Sequence, residues 1–307
     1  MSFPPTHELA AALARDGYVV SSAALEPEEL RAAQAAYDER YPAWDELSAR
    51  LEADGVSPES LRAEDERFRP NGPFGSALDR IPLHPALREL VREVLGPDAK
   101  LVQSHLWAKY GRVAASYEQP LHLDYLNHTI VYPSDDPRYA VLQFIVYYSE
   151  VTEALGPTCV VSRDLSDGDL LVPYLRLRTE RPDYYDAEVT ITAPAGSVLV
   201  YTPKTLHRVR AMTDADGHRK THFFAYAHAD VPWVGWGRWL CAVHGAERQA
   251  LVEGASHEEL AALGFPPPDS PYWTSETVQG TQALYPGLDL DAYLAPAAAV
   301  ASLGGGR

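Results

Sequence analysis

The order His-x-Asp, with the two residues two positions apart, occurs at two places in this 307-residue chain, His122-Leu123-Asp124 and His228-Ala229-Asp230. Side chains at i and i+2 of a β-strand project from one face, so either pair sets an imidazole beside a carboxylate, and both groups can ligate one divalent metal. The plain alternative is a polar strand end. With 11 histidines in the chain, chance alone supplies about one such pair, so a metal site needs a further ligand.

His207 is the candidate. In "PAGSVLVYTPKTLHRVRAMTDADGHRKTHFFAY" a Pro-Ala-Gly-Ser turn leads into an apolar strand, a second turn follows, and His207 comes just after it, with Arg219 twelve positions on. Two imidazoles and a carboxylate on one face of an octahedron leave three positions open, the ligand set of non-haem Fe(II) oxygenases. Arg219 opens the next strand, where its guanidinium can clamp a carboxylate through two parallel hydrogen bonds. The second pair is tested by parity. If "RKTHFFAYAHAD" is one regular strand, Arg219, Thr221, Phe223 and Ala225 share a face, and His222, Phe224, Tyr226, His228 and Asp230 share the other. An inward arginine then turns His228 outward, unless a bulge breaks the alternation.

Weaker candidates surround these. Asn127 and His128 either line a pocket or cap a turn, and Trp107, Tyr110 and Tyr125 either wall a pocket or belong to the core. His105, on an apolar strand, reads as a hydrogen-bonded core histidine. "HRVR" and "RLRTER" read as solvated positions on edge strands. There is no Walker loop, GxGxxG, GxSxG or paired CxxC motif.

The elements that must position these residues fall into three parts. Up to about residue 99 the chain reads as helical: Thr6 as an N-cap with a stop at Gly17, a short strand "YVVSSAAL", a helix "PEELRAAQAAYDERY", then a short helix and a long loop over 42–80, and "PALRELVREVLG" ending at Gly96. From about 100 to 230 short β-rich runs are separated by turns such as "SDDPR", "SDGD" and "DADG", the texture of a sandwich or barrel. Residues 231–307 turn Trp- and Gly-containing, then helical, then irregular, with a frayed "AAAVASLGGGR" tail. No strong boundary divides the parts, so the expectation is one domain over 1–307.

Composition narrows the function classes. A net charge of −17, from 43 acids against 26 bases, argues against nucleic acid or an anionic membrane as the main partner. Two cysteines outside any CxxC, no basic start followed by a long apolar run, and no apolar stretch approaching 18 residues give a reduced, cytoplasmic protein as the expectation.

From about Thr6 to Asp230 the chain resembles the phytanoyl-CoA dioxygenase family of Fe(II)/2-oxoglutarate oxygenases. The resemblance is carried by "DGYVV", "HLD", "VYYSEVTEALGPTCVVS", "PAGSVLVYTPKTLH" and "GHRKTHFFAY". It implies a mainly β core with flanking helices, a double-stranded β-helix (jelly-roll, cupin-like) barrel. It implies His122, Asp124 and His207 as iron ligands, Arg219 on the distal carboxylate of 2-oxoglutarate, and Lys109 and Gln103 as further co-substrate contacts. The implied reaction uses Fe(II), 2-oxoglutarate and O2 to hydroxylate an unactivated C–H of a small molecule, releasing succinate and CO2. Two readings stay open beside it: a cupin-like metal enzyme that does not use 2-oxoglutarate, and a non-catalytic small-molecule-binding barrel.

Overall fold

A computed structural model describes residues 4–22, 24–41, 44–53, 70–114, 118–124, 137–167, 169, 174–231, 246–263, 265, 268, 278, 282 and 285–293. Tyr125, Asn127 and His128, the "WVGWGRWL" segment, residues 42–43 and 54–69 of the 42–80 stretch, and the C-terminal tail lie outside the described residues.

Two five-stranded antiparallel sheets form the β core. The larger runs β1 (Tyr18–Ser21), β8 (Val198–Tyr201), β4 (Val141–Tyr147), β10 (His218–Ala227), β2 (Lys100–Tyr110). The smaller runs β6 (Leu175–Arg176), β3 (Leu121–His122), β9 (His207–Val209), β5 (Thr158–Val160), β7 (Val189–Thr190). The chain crosses between sheets at β2–β3–β4–β5 and again at β7–β8–β9–β10, the winding of a double-stranded β-helix. Among the described residues the helices α1 (Thr6–Asp16), α2 (Pro27–Asp38), α3 (Trp44–Ala53) and α4 (Pro85–Leu95) precede the core, and α5 (Ala246–Glu253) and α6 (His257–Ala262) follow it.

Both faces of the larger sheet are covered, which is why β8 reads as a continuous apolar run, β4 as one broken only by Gln143, and both are buried along their whole length. One face packs on the helices: Leu9 and Leu13 of α1, Tyr37 of α2 and Leu90 of α4 share a core with Leu106, Phe144, Val200, Phe224 and Tyr226. The other face meets the smaller sheet, where Ile145, Tyr147, Leu199 and Tyr201 pack with Val160 and against Phe223. Along β10, Phe223 therefore faces between the sheets, and Phe224 and Tyr226 face the helices.

The parity argument holds as far as Ala227, where β10 ends; His228 and Asp230 lie beyond the strand. β10 pairs with β4 without interruption from Thr221 to Ala227. Its register against β2 slips between Ala225 and Tyr226, where Gln103 and Leu101 are the partners, so Val102 is the extra residue and the bulge belongs to β2.

Three sequence expectations are corrected. Thr6 is the first helical residue and not the cap; the Pro5 carbonyl takes the first helical bonds, from Glu8 and Leu9. "HRVR" lies on β9, an interior strand of the smaller sheet, and Arg208 is buried there against Glu188 (2.6 and 2.7 Å) and Glu118. Matching carboxylates let this cation leave water. "RLRTER" does begin on an edge strand, β6, yet Arg176 is buried.

Candidate metal centre

His122 closes β3 and His207 opens β9, and the two are direct partners across the antiparallel pair. Their rings lie 4.3 Å apart between centroids. Asp124 follows β3, and its backbone N–H donates to the Pro203 carbonyl (3.0 Å) in the β8–β9 turn, which ties the loop carrying the carboxylate to the loop that delivers His207. Asp124 Oδ2 sits 3.3 Å from His207 Nε2, and Oδ1 sits 3.7 Å from His122 Nε2. One ligand atom from each of the three residues falls within 4.8 Å of the others, and this is the one such cluster among the described residues.

Backbone carbonyls set both tautomers. His122 Nδ1–H donates to Pro120 O (3.0 Å) and His207 Nδ1–H to Thr205 O (3.0 Å), each two residues upstream. Each Nε2 is left with its lone pair toward the shared centre, as in metal-bound histidines whose other ring N–H donates to a backbone carbonyl. Tyr201 adds a third restraint: its hydroxyl donates to Asp124 Oδ2 (3.3 Å), and its ring packs on His207 at 4.7 Å. Burial, helped by the neighbouring His207, pushes His122 down to about 4, so it is a neutral donor at neutral pH. Burial also opposes charge on His207, but the Asp124 carboxylate outweighs it and raises that group.

The triad lines a cavity of about 150 Å³ between the sheets. Gln103, His105 and Trp107 of β2 and Phe223 of β10 form one wall, and Gln143, Thr158 and Tyr201 contribute polar atoms. His105 is thus not a core histidine as its apolar strand suggested. It accepts from Gln103 Nε2 (3.0 Å) and stacks flat on Phe223, centroids 5.1 Å apart. The burial pattern of β2 explains the miss: Gln103, His105 and Trp107, facing the cavity, are half-buried, whereas Ser104, Leu106 and Ala108 are sealed under the helices. The sequence cue of apolar alternation marked the helix side, not the inner one. Trp107 walls the cavity, and Tyr110 is helix-side core.

Arg219 and Lys109 are direct partners on β10 and β2, buried to 1% and 3% exposure. Arg219 Nη1 donates to the Gly156 carbonyl, and Lys109 Nζ to the Arg210 carbonyl (2.6 Å). Gly156 separates the two cations. Its φ is +62°, and a Cβ there would lie 2.6 Å from Lys109 Nζ and 2.7 Å from Arg210 O. Burial, then the charge of Arg219, pushes Lys109 down to about 6. A buried guanidinium beside an amine that sheds its proton this readily is an environment that a bound anion relieves, restoring the charge on Lys109. Gly156 lies four residues before Val160, the β5 partner of His207, so at most about 14 Å of chain separates the arginine's anchor from the triad's strand pair. Gln103 is six residues from Lys109 along β2, in the row with Ala225, Gln143 and Tyr201.

His228 stands apart. Its backbone N–H bonds Ala140 O (3.0 Å), and its ring is 3.9 Å from the exposed carboxylate of Asp230. Gln119, Gln143, Thr158, Tyr201 and Phe223 had no place among the sequence candidates. A signal existed for two of them: Phe223 shares the parity of Arg219, and Gln143 interrupts an otherwise apolar and aromatic strand.

The sequence pattern of the phytanoyl-CoA dioxygenase family matches residues 13–220. No curated protein matches the chain. Among solved structures, that of EctD from S. alaskensis with 2-oxoglutarate and 5-hydroxyectoine is similar with a TM-score of 0.54 at 20% identity, over 74% of this chain and 77% of that one. EctD from S. alaskensis with bound Fe gives 0.52 at 21%, over 74% and 78%. AviO1 from Streptomyces viridochromogenes Tue57 gives 0.51 at 17%, over 76% and 100%. These likenesses show a common fold. No described helix is long and apolar enough to cross a membrane.

Proposed function

The chain belongs to the phytanoyl-CoA dioxygenase family and is an oxygenase; from that premise we propose that it hydroxylates an unactivated C–H bond of a small molecule with Fe(II), 2-oxoglutarate and O2, releasing succinate and CO2. His122, Asp124 and His207 are the proposed iron ligands. The observation that carries the reading is the convergence of two tautomer-fixed Nε2 atoms and a carboxylate within 4.8 Å, at one end of a cavity. EctD of similar fold was solved with bound Fe and with 2-oxoglutarate, the two groups proposed here.

The donor set fits both groups. Two neutral imidazoles and one carboxylate suit a divalent iron and leave its other side toward the cavity. The buried Arg219–Lys109 pair suits a carboxylate brought in at depth, with the guanidinium offering parallel donors and the amine a point charge. Bound iron and 2-oxoglutarate would supply the dioxygen activation and hydrogen abstraction that side chains cannot perform. The chain's own contribution is positional. Tyr201 and the Pro203 carbonyl hold Asp124 in place. Arg219 and Lys109 orient the co-substrate, and Trp107 and Phe223 keep water from the carbon to be oxidised.

Anaerobic addition of Fe(II) and 2-oxoglutarate tests the reading. A weak visible charge-transfer band is expected, lost in Asp124→Ala and weakened in Arg219→Ala. Metal binding without the band would favour a cupin-like enzyme that does not use 2-oxoglutarate; no metal binding would favour a binding barrel.

A further inference from the structure

Gln143 is a glutamine where the fold has no structural need for one. It sits in the middle of β4, flanked by Leu142 and Phe144, and is 8% exposed. Its side chain lines the cavity, and its Nε2 is buried with no hydrogen-bond acceptor among the described residues. An N–H buried without an acceptor destabilises a fold, and a leucine of similar size would not. A group entering the cavity with an oxygen acceptor would satisfy that N–H.

The neighbours restrict what enters. Across the larger sheet Gln143 lies in one row with Gln103, Ala225 and Tyr201. The small Ala225 leaves open space between the two carboxamides. In the next row His105 stacks on Phe223 with planes 6° apart, and Trp107 leans on Phe223 at 5.6 Å. These rings present flat faces to the space. No Lys or Arg is among the described residues lining it, and the carboxylate of Asp124 is. At the proposed site Fe(II) and Arg219 already balance Asp124 and the two carboxylates of 2-oxoglutarate, so a further anion would be buried with no cation lining the cavity.

We propose that Gln143 reads a carbonyl, ether or hydroxyl oxygen on an uncharged ring compound, which lies flat against the His105–Phe223–Trp107 wall. The substrate class is then a neutral oxygenated ring molecule, neither a free acid nor an acyl-CoA thioester. This rests on the cavity being the substrate side of the oxygenase site proposed above. It makes Gln143 a specificity residue and gives Gln103, held by His105, the second carboxamide of the same row.

The test is titration calorimetry on the full chain with chromone, chromone-2-carboxylate and decanoyl-CoA, run without metal and again after anaerobic addition of Fe(II) and 2-oxoglutarate. Chromone is expected to bind at least about tenfold tighter than the other two, and Gln143→Leu to lose about tenfold of that affinity. Gln143→Glu, which replaces the donor by an acceptor, is expected to lose as much. The melting temperature of Gln143→Leu is expected to stay level or rise, because an N–H without an acceptor is removed. A merely structural glutamine would give the reverse. Chromone binding no tighter than the carboxylate or the thioester overturns the proposal, as does a Gln143→Leu protein that melts lower and binds chromone unchanged. Loss of the charge-transfer band with the chromone preference intact would defeat the iron reading and leave this one standing.

Discussion

Replacing Tyr201 by Phe removes one oxygen atom from behind the proposed metal ligands. That hydroxyl donates to Asp124 Oδ2 over 3.3 Å, and the residue is 2% exposed, so water does not readily take its place. A hydrogen bond to a charged group contributes about 1.5–3 kcal/mol, but 3.3 Å is long for O–H···O, and the lower end of that range applies. The ring, which packs on His207 at 4.7 Å, is kept in the variant, so His207 stays in position. Asp124 alone loses a restraint. About 1.4 kcal/mol corresponds to tenfold in metal affinity, within the 10–100-fold range of second-shell losses at metal sites. Anaerobic Fe(II) titration of both proteins measures it, with melting temperatures as the control for folding. An affinity within twofold of the parent, in a protein that melts normally, would show that Tyr201 does not orient Asp124. The assignment of the tyrosine as part of the metal centre would then fail.

Other expectations follow from the same geometry. Gly156→Ala puts a methyl group where Lys109 Nζ and Arg210 O lie within 2.7 Å, at a left-handed φ; 2-oxoglutarate affinity is expected to fall at least about tenfold with Fe(II) affinity retained, the residue conformation alone contributing about 1–2 kcal/mol of strain. His228→Ala is expected to leave Fe(II) affinity unchanged, because that ring is half-buried beside Asp230 and not in the cluster; a loss of metal binding would overturn the choice between the two His-x-Asp pairs. The metal-free protein is expected to lose stability as the pH falls from 6.5 towards 4. Burial pushes His122 down to about 4 and His222 down to about 3. These two groups take up protons first in the unfolded chain, so protons favour it across that window; His207, raised by Asp124, works the other way and offsets part of the loss. Melting curves at pH 7.5 and 5.0 measure the effect, and a melting temperature that does not fall would refute it.

His222 shows how much of the fold lies beyond the active residues. It is fully buried between the larger sheet and the helices, hydrogen-bonded to Ser104 Oγ (2.8 Å) and Tyr148 OH (2.9 Å). Its parity with Phe224 was legible in the sequence; its partners, on β2 and just after β4, were not. Local texture likewise revealed the N-terminal helices, the β-rich centre and most strand positions, because 3.6- and 2-residue periods and Gly or Pro turns are written into short windows. The stop at Gly17 is a case in point: its φ of +79° is one that glycine adopts without strain.

By itself, then, the amino-acid order determined which residue types could meet a metal, which side chains of each strand travel together, and where the chain turns. It left open which of the two faces is inward. That is decided by burial summed over the whole molecule: β10 turns Phe224 and Tyr226 to the helices and so Arg219 and Phe223 to the space between the sheets. It also left open which strands become neighbours. His122 and His207 are 85 residues apart and meet because β3 and β9 pair in the smaller sheet, a register that only packing against the larger sheet selects. For the same reason the cavity-lining role of His105 and Gln143 belongs to the tertiary structure. A side chain half-exposed to an internal cavity and one sealed beneath a helix carry the same alternation in sequence, and only the assembled sheets distinguish them.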